Sequence, residues 1–595
     1  MVERKKQMSR DRVSRLINWG HWFAFFNGLL AMIVGSRYLS SVGYPETWYG
    51  WIYLTVSTIG QFSFLAFIAY LICLFPLTLI LPYSKILRGI AAVIATLSLC
   101  ILLYDTIVYA DYGMHLSPFA FDLAWADLNA LLHGTSYIVT PLAIIAIELT
   151  AANFLWKRIE KIQKLNLGNK VITLVGICFV SSHLIHIWAD AADMTEITRF
   201  DEAYPLSYPA TARSFMESHG IDGSPMGNNA NDTTSVLSYP LQPLFCQADT
   251  QTNVLMITID SLRADMVDSK TMPFFHQYME NNQSFTQHYS GGNQFKTGMF
   301  SLLYGLQGSY GDARIFNSTS PVLTKSFQQA GYQLGLFIPE TNRKLGSAQA
   351  MFNDFTPIVA KETNGSADAD LHTVAHFKQW HSVQNKPWFA LLNLKAPENF
   401  DTPVGFLGIE TVKANVNLHP AQKVLFNQYR QSLYFIDNQL EAILANIPQD
   451  TLVVITGVNG KIFTSNNDEA LRNLSPESVK VPLVIHWPNA IAAKVKYRTS
   501  HYGIVPTLMT HVLGCTNNTT DYSAGRSLLQ PSKETWIYIG DSRIFAIYQQ
   551  TEVTVIDRHG KYRIYDANYE HRLGKKMSAP ELIQVMRESR RLYNH

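Results

Sequence analysis

Five long apolar runs dominate the first third of the chain, at about Leu16–Tyr38, Ile52–Leu81, Leu87–Tyr109, Tyr137–Trp156 and Val171–Trp188. A span needs about 20 apolar residues at a rise of 1.5 Å each, so every run predicts a membrane helix. Pro76 near the end of the second run predicts a tilt or kink there. Beyond Asp190 the pattern breaks up. Residues 191–252 carry Pro205, Pro209, Pro225, Pro240, Pro243 and the polar stretch Asn228–Ser235, and read as a linker in which Ala210–His219 has helical composition. After Thr252 short apolar strands alternate with helical stretches: Asn253–Asp260, Gln333–Ile338, Trp388–Leu394, Thr451–Thr456 and Val481–Trp487. The clearest helix, about His419–Ile447, places Leu425, Leu433, Phe435, Ile436, Leu440 and Ile443 at helical spacing. Strands apolar on both faces with helices between them predict a predominantly parallel central sheet. Further strands at Thr535–Ile539, Ile544–Asp557 and Tyr562–Tyr565, with a turn at His559-Gly560, predict an antiparallel hairpin. The expected organisation is a five-helix membrane domain (1–190), a linker (191–252) and an α/β domain (253–595).

Charge adds an orientation. Only 16% of the 595 residues are charged and the net charge is +2, against about 25% charged in ordinary soluble domains. No basic block is large enough for a nucleic-acid footprint. The N-terminal tail holds Arg4, Lys5, Lys6, Arg10, Arg12 and Arg15, the second loop Lys85 and Arg88, and the fourth Lys157, Arg158, Lys161, Lys164 and Lys170. Between Arg88 and Lys157 there is no Lys or Arg. The positive-inside rule then puts the N-terminus in the cytoplasm and everything beyond Asp190 outside. Cys73, Cys100 and Cys178 fall inside spans and read as small apolar packing residues. Cys246 and Cys515, alone in the outer domain, are either a disulfide or two buried thiols. Asp105 and Glu148 lie within spans, where a charge costs about 2.5–3.5 kcal/mol on insertion scales. They sit at an interface, bond internally, pair with a partner subunit or mark a proton path. His183 and His186 lack a third ligand and read as interface-facing imidazoles.

The string ITIDSLRADM puts Asp260 at the end of a buried strand, at the carboxyl edge where open α/β sheets bind ligands. With NQFKTGMFSLLYG (Asn293–Gly305), YFIDNQLEAIL (Tyr434–Leu444), TLVVITGVNG (Thr451–Gly460), VPLVIHWP (Val481–Pro488) and GIVPTLMTHVLG (Gly503–Gly514), the chain resembles the alkaline phosphatase/sulfatase superfamily over about Asn253–Pro531. That resemblance implies a hydrolase or transferase of phosphate or sulfate esters. Such an enzyme needs carboxylate and imidazole ligands for a divalent metal, and a hydroxyl or modified Cys nucleophile. Asp260 matches the first ligand. The family's T-S-D-H-G falls on Thr456-Gly457-Val458-Asn459-Gly460, so an apolar side chain and an amide replace the ligand pair, and a further family His falls on Lys395. Counting back from Tyr304-Gly305 puts Gln294 in the nucleophile slot, and Thr297 is the only hydroxyl in Asn293–Met299. No cofactor and no catalytic residue are expected. The alternative is a phosphatase or phospho-group transferase using Asp260 and Thr297 with weakly bound Mg²⁺.

The strings SRLINWGHWFAFFNGLLAMIVGSRYL, SHLIHIWADA and PLSYPATARSFMESHG are similar to the YejM (PbgA) family of Gram-negative inner-membrane proteins, and the resemblance runs from Ser14 to about Tyr593. It implies a non-catalytic regulator at the inner membrane with its outer domain in the periplasm. Members of that family sense lipopolysaccharide and, through the LapB adaptor, control FtsH proteolysis of LpxC; the family is also linked to cardiolipin binding and transport. The segment Pro205–Gly220 follows the last span at the depth of lipid phosphates. A helix start there, with Arg213, would bind phosphate through free N–H groups and a forked guanidinium. The expected lipid contacts are Tyr208, Thr211, Ala212, Arg213, Ser214 and Phe215. The family carries T-A-R-R where this chain has Thr211-Ala212-Arg213-Ser214.

Overall fold

The computed structural model describes residues 2–45, 47–80, 83–117, 121, 136–191, 194–198, 200, 203–207, 237–248, 251–311, 314–343, 349–361, 364–413, 420–464, 467–531, 535–558, 560–572, 574 and 579–593. The chain divides into two compact units, Met1–Val236 with Ser578–His595, and Leu237–Met577.

Among the described residues of the first unit five helices are long and apolar enough to cross a membrane: Val13–Val42, Trp48–Ile80, Ser84–Tyr112, Val139–Lys164 and Leu167–Asp190. They coincide with the five expected runs. We label the principal helices α1 (Val2–Gly35), α2 (Trp48–Ala69), α3 (Ser84–Tyr112), α4 (Ser136–Lys164) and α5 (Leu167–Ala191). The inward stripe of α1 is Leu16, Trp19, Phe23 and Ala24, packed with Tyr70, Leu87, Ala91 and Ala152; spacings of three and four residues put it on one face. Trp19 Nε1 donates to the Ala152 carbonyl at 3.1 Å. Gly60 of α2 lies where a Cβ would stand 2.8 Å from the Phe179 backbone of α5, so the absent side chain permits close helix approach. Just before Pro76 the second span loosens into a π turn, Tyr70–Leu74. Proline has no N–H for its own turn and its ring collides with the carbonyl four residues back, and the wider turn relieves both.

The intramembrane carboxylates bond internally. Asp105 accepts from Tyr38 Oη, from His115 Nδ1 at 2.6 Å and from the Leu116 N–H at 2.5 Å. Glu148, fully buried, accepts from Asn27 Nδ2 at 3.2 Å. The C-terminal helix α8 (Ala579–Glu588) returns to this unit and packs on α3. Arg590 Nε donates to the Ala110 carbonyl at 3.1 Å, and a side chain at Gly113 (φ +70°) would collide with the Arg590 guanidinium.

The described residues of the second unit include fourteen short strands: β1 Val254–Ile259, β2 Gln283–Phe285, β3 His288–Tyr289, β4 Gln333–Pro339, β5 Thr356–Ala360, β6 Trp388–Leu394, β7 Leu452–Gly457, β8 Leu483–His486, β9 Ala493–Val495, β10 Thr499–Ser500, β11 Ile537–Gly540, β12 Ile544–Tyr548, β13 Glu552–Asp557 and β14 Tyr562–Asp566. Eight of them form one sheet in the order β5-β4-β6-β1-β7-β8-β2-β9, in which β8 pairs antiparallel with both neighbours and the other pairings are parallel. All six residues of β1 are buried, as expected of a strand covered on both faces. Two helices matter below: α6 (Phe295–Tyr304) and α7 (Pro420–Leu444). Leu433, Phe435, Ile436, Leu440 and Ile443 of α7 enter the core against Ile257, Leu392 and Ile455. The strand expected over Ile544–Asp557 is two strands, β12 and β13, paired antiparallel in a four-stranded sheet with β11 and β14. Their turn is Gln549-Gln550-Thr551, without Gly, Pro or Asn, so composition did not mark it. Cys246 and Cys515 form a disulfide, Cα to Cα 3.9 Å, between segments that also make an isolated antiparallel bridge.

Candidate functional site

Register brings the expected residues to one edge. Ile259 of β1 pairs with Leu394 of β6 and Gly457 of β7, so the residues that follow, Asp260, Lys395 and Val458, stand side by side at the carboxyl ends of adjacent strands. Asn342 reaches the same place from beyond β4. The chain turns immediately after Asp260: Ser261 has φ +58°, and Tyr429 Oη donates to its carbonyl at 2.5 Å. A left-handed non-glycine residue costs about 1–2 kcal/mol and persists only where its surroundings hold it.

Asp260 is buried and fully engaged. Asn342 Nδ2 donates to one oxygen at 2.5 Å and Asn393 Nδ2 to the other at 2.8 Å. Burial pushes its carboxyl well above the usual carboxylate range, with Glu398 and Asp370 adding to the rise and the two amides opposing it. The Lys395 ammonium donates to Thr341 Oγ1 and lies 3.7 Å from Glu398, while its backbone N–H is held by both Asp370 oxygens at 2.9 Å. Val458 is buried, its N–H donating to the Ile259 carbonyl at 2.8 Å. Asn459 Nδ2 donates to the carbonyls of Gly460 at 2.9 Å and Asn293 at 3.3 Å.

That last bond ties the edge to the start of α6. Gln294 is the residue before the helix, in extended conformation with no side-chain cap, and its carbonyl accepts from the Gly298 N–H at 2.9 Å. Thr297 is buried, and Cβ atoms at Gly292 and Gly308 would press on its methyl group at 2.5 and 2.3 Å. Gly298 lets the helix close on β7: a Cβ there would stand 2.2 Å from the Val458 carbonyl. His501, which composition did not single out, faces that carbonyl-rich junction. Its Nε2 lies 3.1 Å from the Gly457 carbonyl and its Nδ1 3.3 Å from that of Gly298. Burial lowers its pKa to about 4, so the ring is neutral and donates to one of the two carbonyls.

The superfamily's metal does not fit these residues. The metal of such an enzyme is held by carboxylate and imidazole donors. Here Asp260 already receives an N–H at each oxygen, Val458 offers no lone pair, the Asn459 amide is turned to carbonyls, and Lys395 adds a positive charge. Among the described residues no group of three or more His, Cys, Asp or Glu is placed to hold a metal ion. The residues missed from sequence are Asn342, Asn393, Asp370 and His501. Only Asn393 carried a signal, a lone amide inside the apolar run WFALLNL. The expected lipid contacts Tyr208, Thr211, Ala212, Arg213, Ser214 and Phe215 lie outside the described residues.

Comparison with known proteins places these features in a family. Residues 5–246 match a domain of unknown function, DUF3413, and residues 252–515 match the sulfatase family. The chain is 31% identical over 605 residues to the inner membrane protein YejM of Salmonella typhi, covering 98% of this chain and 99% of that protein, and matches YejM of Salmonella typhimurium to the same extent. An uncharacterized protein of Haemophilus influenzae is 29% identical, with 94% and 93% of the two chains covered. Among solved structures, a protein of the alkaline phosphatase superfamily from Vibrio parahaemolyticus has a TM-score of 0.46 at 16% identity, covering 61% of this chain and 91% of that one. Phosphonate monoester hydrolase of Agrobacterium radiobacter has a TM-score of 0.43 at 16% identity, covering 53% and 89%. With five apolar helices followed by a sulfatase-like domain, and an end-to-end match to both Salmonella proteins, this chain belongs to the YejM family of inner-membrane proteins.

Proposed function

We propose that the protein is a non-catalytic regulator that senses lipopolysaccharide at the periplasmic leaflet of the inner membrane. In this reading it controls LpxC proteolysis through LapB and FtsH. The observation that carries the non-catalytic part is the edge at Asp260: the fold of a metal-dependent hydrolase is kept, while the ligand positions hold Val458, Asn459 and Lys395. A fold retained without its chemistry is a platform for binding and reporting. The lipid is read by Pro205–Gly220, where Arg213 meets the phosphates of lipid A, with Tyr208, Thr211, Ala212, Ser214 and Phe215 around it. Cardiolipin offers the same phosphate chemistry and is the second candidate lipid. With the N-terminus in the cytoplasm, five crossings put the sulfatase-like domain in the periplasm, and the membrane helices carry the LapB contact.

The test uses cells in which this chain replaces the resident family member. LpxC half-life should change with Arg213→Asp and stay at the wild-type value with Asp260→Asn. An effect of Asp260→Asn as large as deletion, in protein present at normal abundance, would restore the enzyme reading.

A further inference from the structure

In the first unit, at the end of the bundle where α1 and α3 begin and α4 finishes, two arginines converge on one indole. The Arg15 guanidinium of α1 lies over the Trp156 ring of α4 at 4.6 Å from its centroid, and the Arg88 guanidinium of α3 at 5.3 Å. Distances that short to one common ring put both guanidiniums within reach of a single phosphate, whose charge-assisted bonds run at about 2.7–2.9 Å. The base of the cluster is rigid: Leu16, Leu87 and Ile159, neighbours of these residues along their helices, are buried together, and Trp156 packs against them. Arg88 donates from Nε to the Ser84 carbonyl at 2.9 Å and from Nη1 to Asn153 Oδ1 at 2.7 Å, both neutral acceptors that fix the guanidinium without cancelling its charge. Arg15 lies 3.1 Å from Glu160 and its side chain is 40% exposed. Two guanidiniums and one carboxylate leave a positive charge at the cluster, and the exposed Lys85, Lys157 and Lys161 at the same end add to it.

We propose that Arg15, Arg88 and Trp156 form a binding site for the phosphodiester headgroup of an anionic phospholipid, in the leaflet at this basic end of the bundle. A phosphodiester carries one negative charge and balances the charge that Glu160 leaves over. Guanidinium forks bind phosphate oxygens in pairs, and arginines already oriented by an indole and by fixed acceptors lose less freedom on binding. A zwitterionic headgroup brings its own ammonium towards Lys85, Lys157 and Lys161 and binds less well. Tryptophan at the end of a span lies at headgroup depth. An acidic protein segment would match the charge alone. The lipid also matches the apolar surface, since Ile86, Val93, Leu97 and Ile101 are exposed along α3 from the same end at spacings that keep them on one face for acyl chains. The bundle end in question is the one where α5 starts, whereas the lipopolysaccharide reading rests on Pro205–Gly220, beyond the end of α5. The two stand independently.

Native mass spectrometry of the delipidated full chain in detergent, titrated with phosphatidylglycerol, phosphatidylcholine and glycerol 3-phosphate, tests it. The first phosphatidylglycerol adduct should saturate at least tenfold below phosphatidylcholine, and glycerol 3-phosphate should bind more weakly than the lipid that carries its headgroup chemistry. Arg88→Gln and Arg15→Gln, each read where its unfolding transition matches wild type, should weaken phosphatidylglycerol at least tenfold. Arg88→Lys keeps the charge and loses the fork, so its affinity should fall between Arg88→Gln and wild type. Arg213→Asp should leave phosphatidylglycerol binding at the wild-type value, which separates this site from the lipopolysaccharide reading. Equal affinity for the two lipids would overturn the proposal. So would glycerol 3-phosphate binding as tightly as phosphatidylglycerol, which would assign the arginines to a soluble phosphate ester. Wild-type affinity in folded Arg88→Gln and Arg15→Gln would also overturn it and leave the cluster to an acidic protein segment.

Discussion

Asp260, Val458 and Gly298 act within one small volume, and each has a separate consequence. Asp260 accepts an N–H from Asn342 and one from Asn393, which fastens the end of β1 to both residues. Gly298 is where α6 meets β7. Gly298→Ala places a methyl 2.2 Å from the Val458 carbonyl, a backbone atom that cannot swing aside. Overpacking of this kind typically costs about 1–3 kcal/mol, and a lower denaturant midpoint with unchanged slope should record it. His501 sets a pH dependence. Its folded pKa, about 4, lies below the ordinary 6.5, so its contribution to stability is complete above pH 6.5 and is lost as pH falls from 6.5 towards 4. Linkage over that window amounts to roughly 3 kcal/mol. Thermal unfolding should therefore show a midpoint that drops across this range, with a smaller drop in His501→Gln; equal drops in the two proteins would remove His501 as the cause. Asp260 and the replaced pair were legible in the sequence because strand, order and spacing fix them. Asn342 and His501 were not, since each comes from a segment whose own pattern says nothing of the edge it approaches.

Elements show the same division. The five spans and the helix over 419–447 are long patterns, and the structure has a helix at each, with the fourth running eight residues past the expected Trp156 to Lys164. Short pieces escaped: β2, β9 and β3 have two or three residues each, and their strand character comes from the neighbours they pair with. The disulfide between Cys246 and Cys515 closes a loop with a sequence separation of 269. In the chain-entropy account such a loop is worth up to about 5 kcal/mol, and measured values are commonly smaller. A chain with both cysteines changed to serine should unfold at lower denaturant, and wild type digested without reductant should yield the linked peptide pair. Helix α8 is fastened by Arg590 to the end of α3. Arg590→Ala removes a charge-assisted bond worth about 1.5–3 kcal/mol. Faster amide exchange over Ala579–Glu588, with exchange in α7 unchanged, would register it.

For the whole molecule, orientation is the first claim. Reporter fusions after Leu165 and after His595 should read as cytoplasmic and external respectively, because loop basicity puts the N-terminus inside and five is an odd number of crossings; the opposite reading at either point would reverse the account. The five spans were legible because long apolar runs are patterns in one dimension. Whether lipid phosphate engages Arg213 is a question of three-dimensional contact, and one measurement addresses it most directly: native mass spectrometry of the full chain in detergent with added lipid A, comparing wild type with Arg213→Asp. Losing a charge-assisted bond to phosphate costs about 1.5–3 kcal/mol, which is roughly ten- to a hundredfold in affinity, and matching thermal unfolding of the two proteins establishes that both are folded. If Arg213 engages lipid phosphate, wild type forms a lipid A complex and the variant one at least tenfold weaker. Equal binding by the two folded proteins would contradict it.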